Sequence, residues 1–186
     1  MADAPLTFLV LLGSLRQDSF NGALARALPE LALAGVAIKS GPSVGDMPLY
    51  DYDIQRSEGF PARVSEIAEA IIAADGVIFV TPEYNHSIPG TLKNAIDWLS
   101  RLEPQPFRDK PCAIQSCSQG PMGGIRAQLA LRPVLVSLRA LNFTTPEVLV
   151  TFSRDKFADG VLKDEGTRKV VATQLEAFAA FVRRVR

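Results

Sequence analysis

The sequence predicts an α/β domain in which a five-stranded parallel sheet carries helices on both faces, a three-layer sandwich. Two observations point there. Short, nearly unbroken apolar runs, such as Leu6–Leu12, read as strands buried on both faces. Between these runs lie segments whose apolar residues recur at helical spacing. A chain of 186 residues with 47% hydrophobic side chains suits one domain, residues 1–186, with a core that needs neither disulfides nor a structural metal.

The first strand is closed by Gly13. Leu24, Leu28 and Leu31 then recur among Ala23, Ala25, Ala27 and Ala32, giving a helix with one leucine stripe that Gly35 stops. Residues 36–39 form a short second strand, and residues 41–60 read as a long irregular loop, a length that marks functional or mobile segments. Val64, Ile67, Ala68 and Ile71 keep the rhythm of a second helix, entered at Pro61 and ending near Asp75 and Gly76. Val77, Ile78, Phe79 and Val80 make the third strand, TPEYNHSIPG the loop after it, and residues 91–99 a third helix with Ser87 as its candidate cap. Residues 111–116 read as the fourth strand, 125–141 as a long helix bent at Pro133, and 143–150 as the fifth strand. Val171, Leu175, Phe178 and Val182 mark the apolar face of a C-terminal helix. Right-handed crossovers between these units suit the flavodoxin-like strand order 2-1-3-4-5. Ligands then lie at the carboxyl ends of the strands, where the loops after the first, third and fourth strands converge.

Composition narrows the function. Twenty basic and twenty acidic side chains cancel, so no global field favours nucleic acid or an anionic membrane. Cys112 and Cys117 with the single histidine do not complete a zinc ligand set, and no metal is expected. No apolar run reaches the roughly 20 residues of a bilayer span, and MADAP lacks the basic stretch of a secretion signal, so the chain reads as cytoplasmic.

The first informative loop is GSLRQDSFN, residues 13–21, between a buried strand and a helix whose first amides need partners. It offers the hydroxyls of Ser14 and Ser19, the amide of Asn21 and the guanidinium of Arg16, a set that fits a terminal phosphate monoester. Neither the GxGxxG of dinucleotide sites nor the GxxxxGK[ST] of triphosphate sites occurs. Taken alone, the loop also fits a plain helix cap at Ser19 and a solvated Arg16. The second loop carries Pro82, Glu83, Tyr84 and Asn85, whose backbone, aromatic wall and amide suit the polar edge of a flavin ring. Backbone donors and the positive end of the following helix stabilise charge that develops on such a ring.

GSLRxxSxN followed by PEYNxSxPGxLKNAIDWLSR resembles the NADPH-dependent FMN reductase family, which includes quinone and chromate reductases. The resemblance extends through SQGPMGGIRAQLALRPVL. It implies FMN phosphate contacts at Ser14, Arg16, Ser19 and Asn21, ring contacts at Pro82, Glu83, Tyr84 and Asn85, and a third flavin-facing loop at Ser118 and Gly120. It further implies NADPH or NADH as cosubstrate, a small-molecule electron acceptor and a homodimer or homotetramer. Glu83, Tyr84 and Asn85 then orient and tune the flavin, which carries the chemistry itself. A flavodoxin-type electron carrier is the rival reading, disfavoured by the balanced charge.

Other residues divide between two readings. His86 is either a proton donor beside the ring or a solvent-facing side chain, and the second is favoured because hydride transfer needs stacking more than acid catalysis. Cys117 reads as packing and Cys112 as core. Ile96 and Leu99 share one face of the third helix and Trp98 another, and this spare apolar face suggests oligomerisation. Arg126 and Glu147 resemble charged interface positions of the family, and Leu129 stands where some relatives carry tyrosine. Arg101 serves either an anionic substrate or the carboxyl end of its helix. Tyr50 and Tyr52 belong to a loop that either covers the site or meets a neighbouring subunit.

Overall fold

A computed structural model describes residues 4–186. Residues 1–3, part of the MADAP start, lie outside the described residues. The chain runs β1 (Leu6–Leu12), α1 (Phe20–Leu31), β2 (Val36–Ser40), α2 (Tyr52–Glu58), α3 (Ala62–Ala73), β3 (Gly76–Val80), α4 (Gly90–Leu99), β4 (Pro111–Cys117), α5 (Ile125–Ser137), β5 (Leu141–Asn142) and β6 (Val148–Val150). A small antiparallel hairpin of β7 (Phe157–Ala158) and β8 (Val161–Leu162) precedes α6 (Glu165–Val185). The main sheet is parallel, in the order β2-β1-β3-β4-β5, with β6 also paired to β4.

The apolar runs work because alternate residues of each strand face opposite layers. Leu9, Leu11, Val77, Phe79, Cys112 and Ile114 pack with α3, α4 and α5. Leu6, Phe8, Val10, Ile78, Val80 and Ala113 pack with α1 and α6 on the other face. The leucine stripe of α1 and the Val171, Leu175, Phe178 and Val182 face of α6 both enter this second layer, where Phe178 stacks at 4.8 Å on Phe8. Among the described residues, no helix is long and apolar enough to cross a membrane.

The structure corrects several expectations. The fifth strand is not one run over residues 143–150: Pro111 and Cys112 pair with β5, Gln115 to Cys117 pair with β6, and residues 144–147 break the pairing between them after Phe143 donates to the Cys112 carbonyl. The long helix ends at Ser137, because Arg139 adopts a left-handed φ of 60° and Leu141 enters the sheet. Ser87 does not cap α4, which begins after Pro89; Ser87 instead closes a tight turn with Tyr84, each donating its N–H to the other's carbonyl. The 41–60 segment contains α2, started by the Asp51 carboxylate accepting from the Asp53 amide at 2.8 Å. No residue of α2 is buried, so that helix left no apolar period to read.

The apolar face of α4 at Trp98 is not spare. Trp98 is fully buried within the chain, its ring edge-on to Tyr50 at 5.0 Å and near Phe60, while its Nε1 donates to the Pro48 carbonyl at 2.9 Å. Asn94, four residues earlier on the same helix, donates to the same carbonyl and accepts from the Tyr50 amide. The 41–60 segment is thus a strap laid on α4. Arg101 lies 4.9 Å over the Tyr50 ring, a cation–π contact that neither expectation for it foresaw.

Candidate functional site: a cleft at the carboxyl ends of β1, β3 and β4

Three loops meet where β1, β3 and β4 end, and they meet closely. Gly13 donates its N–H to the Val80 carbonyl at 2.9 Å. A β-carbon on Gly13 would stand 2.6 Å from Thr81 Oγ1, so only glycine lets the first and second loops close on each other. The cleft between them has a volume of about 180 Å3. Its walls include Ser14, Arg16, Ser19 and Asn21 from the first loop, Pro82, Glu83 and Tyr84 from the second, and Ser118 from the third. Phe20, Cys117 and Gln119 also line it. Sequence reasoning missed Phe20 and Gln119 as site residues, although both sit beside positions it singled out.

At one end the cleft presents donors. Ser19 caps α1, its Oγ accepting from the Gly22 amide at 2.9 Å. That bond occupies an acceptor lone pair and leaves the hydroxyl proton available, so the cap and the anion contact are compatible. Ser14 is nearly buried, and the Arg16 guanidinium, exposed at the mouth, has no carboxylate partner among the described residues. Unpartnered donors at a helix N-terminus favour an anion. Asn21 behaves differently from expectation: its side-chain amide is turned to the Cys117 backbone, donating to the carbonyl and accepting from the N–H, both at 3.1 Å.

The second loop is held by a charge pair. The Glu83 carboxylate accepts from Arg126 Nη1 and from the Arg126 amide, both at 3.1 Å, in the first turn of α5. An anion there meets the positive end of the helix, and the pair joins the second loop to the element that follows the third. The Glu83 side chain is therefore a tie between the second loop and α5. Arg132 is likewise paired with Glu147, so Arg126 and Glu147 both have partners inside the chain.

Tyr84, 47% exposed, forms the open rim. Asn85 and His86 are the two central residues of the Tyr84–Ser87 turn, with φ of 49° and 66°. Such a turn needs left-handed residues, which asparagine tolerates well. Both are exposed, and neither lines the cleft. Gly120 also stays outside the lining, at a place where an added β-carbon would meet nothing within 4 Å. Ser118 donates its Oγ to the Gly120 carbonyl at 3.2 Å and so shapes the third loop. Burial pushes the Cys117 thiol up to about 12 and the Cys112 thiol higher still, which leaves both protonated and inert near neutrality.

The donor set at one end, and the loop backbone with an aromatic rim at the other, are chemically compatible with a phosphate monoester joined to a flat ring. A sequence model of NADPH-dependent FMN reductase matches residues 6–155, across all three loops. The chain belongs to this family. A quinone reductase of Escherichia coli is 50% identical over 183 residues, covering 97% of each chain. An NAD(P)H-dependent FMN reductase of Pseudomonas aeruginosa is 42% identical over 94% of each chain. Among solved structures, an NAD(P)H:(acceptor) oxidoreductase of Paracoccus denitrificans, described as a flavoenzyme, superposes with a TM-score of 0.86 at 32% identity. That superposition covers 96% of this chain and 98% of the other. As a member of the FMN reductase family, the chain is an oxidoreductase.

Proposed function

We propose that this FMN reductase family member holds FMN in the cleft and uses it to carry electrons from NADPH or NADH to a quinone, with chromate, azo compounds or free flavin as further acceptors. The observation that carries the reading is the convergence of unpartnered donors and a flat-ring rim in one cleft at the ends of three parallel strands. Ser14, Arg16 and Ser19 bind the phosphate and give the cofactor its direction. The Glu83–Arg126 tie holds the second loop against α5, so the backbone near Pro82 and Tyr84 faces the ring with little freedom. FMN held there would supply the hydride- and electron-transfer chemistry between a nicotinamide and the acceptor, while Ser14, Arg16, Ser19 and the second loop hold and orient it. The rim at Tyr84 stays open, which suits donor and acceptor binding in turn with ping-pong kinetics.

The homo-oligomer is proposed on α5, where the family resemblance already put Arg126 and Leu129, and not on the buried Trp98 face of α4. Leu129 and Val136 of α5 are 53% and 62% exposed, and Met122 lies just before that helix, so an apolar stripe borders the third loop. Burying that stripe in a homodimer or homotetramer sets a second copy beside the cleft. The cytoplasm suits an enzyme fed by NAD(P)H.

The test is an absorption spectrum of purified protein after FMN addition, followed by NADPH and then a benzoquinone. Bound flavin that NADPH bleaches and the quinone restores supports the proposal. Protein that stays colourless and fails to oxidise NADPH overturns it, and bound flavin that NADPH leaves coloured indicates an electron carrier instead.

A further inference from the structure

The amide of Asn21 solves a problem created by the shape of the sheet. The last rung between β3 and β4 is the Thr81 N–H donated to the Gln115 carbonyl at 3.0 Å. Beyond Thr81 the chain turns away at Pro82. Along β4, backbone groups point alternately to the two neighbouring strands. Ser118 donates its N–H to Val150, on the β6 side. The N–H and C=O of Cys117 therefore face the β3 side, where no strand remains to pair with them. Cys117 is 2% exposed, so water does not serve these groups either, and an orphaned buried pair is costly.

Asn21 reaches them from 96 positions away in sequence. Its Oδ1 accepts from the Cys117 amide and its Nδ2 donates to the Cys117 carbonyl, the pattern a strand residue makes with its neighbour. The side chain is 4% exposed and sits two positions after Ser19, in the first turn of α1. The phosphate end of the cleft is built on that turn. The Cys117–Gln119 wall is built on the strand end that Asn21 grips.

We propose that Asn21 is a positioning residue whose amide replaces the missing rung of the sheet and thereby sets the separation between the phosphate end of the cleft and its third-loop wall. The proposal rests on the FMN reading and assigns Asn21 a role other than direct contact of its amide with phosphate. A carboxylate in its place would keep the acceptor for the Cys117 N–H but oppose the Cys117 carbonyl. An alanine would leave both groups orphaned.

Asn21→Ala and Asn21→Asp test this in two measurements on flavin-free full-length protein. Amide exchange by NMR reads the clamp directly. The Cys117 N–H should exchange at least about tenfold faster in Asn21→Ala, with Ala113 of the same strand little changed. In Asn21→Asp the bond to the Cys117 N–H persists, so its exchange should stay nearer wild type. Fluorescence titration then compares FMN with riboflavin, which lacks the phosphate. Both should weaken about tenfold or more in Asn21→Ala, because the third-loop wall itself is displaced. Loss of FMN affinity with riboflavin unchanged would make Asn21 a phosphate ligand and overturn the proposal. Uniformly faster exchange along β4 would reduce the effect to general stability, and it too would overturn it. Wild-type protein that binds neither flavin would defeat the FMN reading beneath it, and the amide-exchange result would still report separately on the clamp.

Discussion

Replacing Gly13 with alanine tests whether the first and second loops really close on each other. The backbone of Gly13 lies outside the left-handed region, so alanine is conformationally acceptable there and the cost is steric. The new β-carbon would stand 2.6 Å from Thr81 Oγ1, 3.0 Å from Thr81 Cβ and 3.2 Å from a Leu92 methyl. Ordinary contact begins at 3.4 Å, which demands a retreat of 0.8 Å from a fully buried threonine. Overpacking of this kind costs about 1–3 kcal/mol. Turning Thr81 aside also breaks its 3.1 Å bond to the Pro82 carbonyl, worth about 1 kcal/mol. Stiffening of the unfolded chain offsets roughly 0.4–1 kcal/mol. The net loss is about 1–3.6 kcal/mol, or about 2–14 °C in Tm for a chain of this size. Urea and thermal melts of Gly13→Ala, Thr81→Ala and the double variant measure it. Because Thr81→Ala removes the atom nearest the clash, the double variant should recover about 1 kcal/mol relative to additivity. Gly13→Ala within about 0.5 kcal/mol of wild type, or strict additivity with Thr81→Ala, would refute the close approach.

Four further outcomes rest on the packing. Glu83→Gln keeps the shape of the tie but removes its charge; with Arg126 40% exposed, the loss should be about 1 kcal/mol and should shrink in high salt, read by urea melts at two salt concentrations. Trp98→Ala should cost about 3–5 kcal/mol and release the strap, so that trypsin cuts at the exposed Arg56 faster; an unchanged cleavage rate would show that the strap is held elsewhere. Cys117 and Cys112 should resist a thiol reagent at pH 8 in native protein and react once denatured. Since the folded-state value of Cys117 is raised from 9.0 to about 12, its contribution is fully present below pH 9 and lost as pH climbs toward 12, by about 1.4 kcal/mol per pH unit. Urea melts between about pH 8 and pH 10.5 should fall less steeply for Cys117→Ala than for wild type.

Much of the site was legible because a strand-to-helix loop declares itself locally. GSLRQDSFN names a cap, two hydroxyls and a guanidinium, and the cap at Ser19 forms as read. What the motif does not contain is direction. Asparagine in a phosphate loop looks like a donor to phosphate, and only the end of β3 at Thr81 reveals that the Cys117 backbone needs that amide more. Glu83 and Arg126 are likewise 43 residues apart, with no local pattern linking them. The strap failed for another reason. Helix α2 buries nothing, so its seven residues carry no periodic signal, and Trp98 looked free for a partner because the residues that cover it, Tyr50 and Phe60, lie in a stretch without one.

The sequence by itself determined the layers, the strand order and the loops that build the cleft, because buried strands and amphipathic helices write their periods directly into the chain. Tertiary structure alone decided which polar side chains line the cleft and which join one loop to another. A hydrogen bond across the sheet depends on where two distant strands stop, and no window of sequence contains both ends.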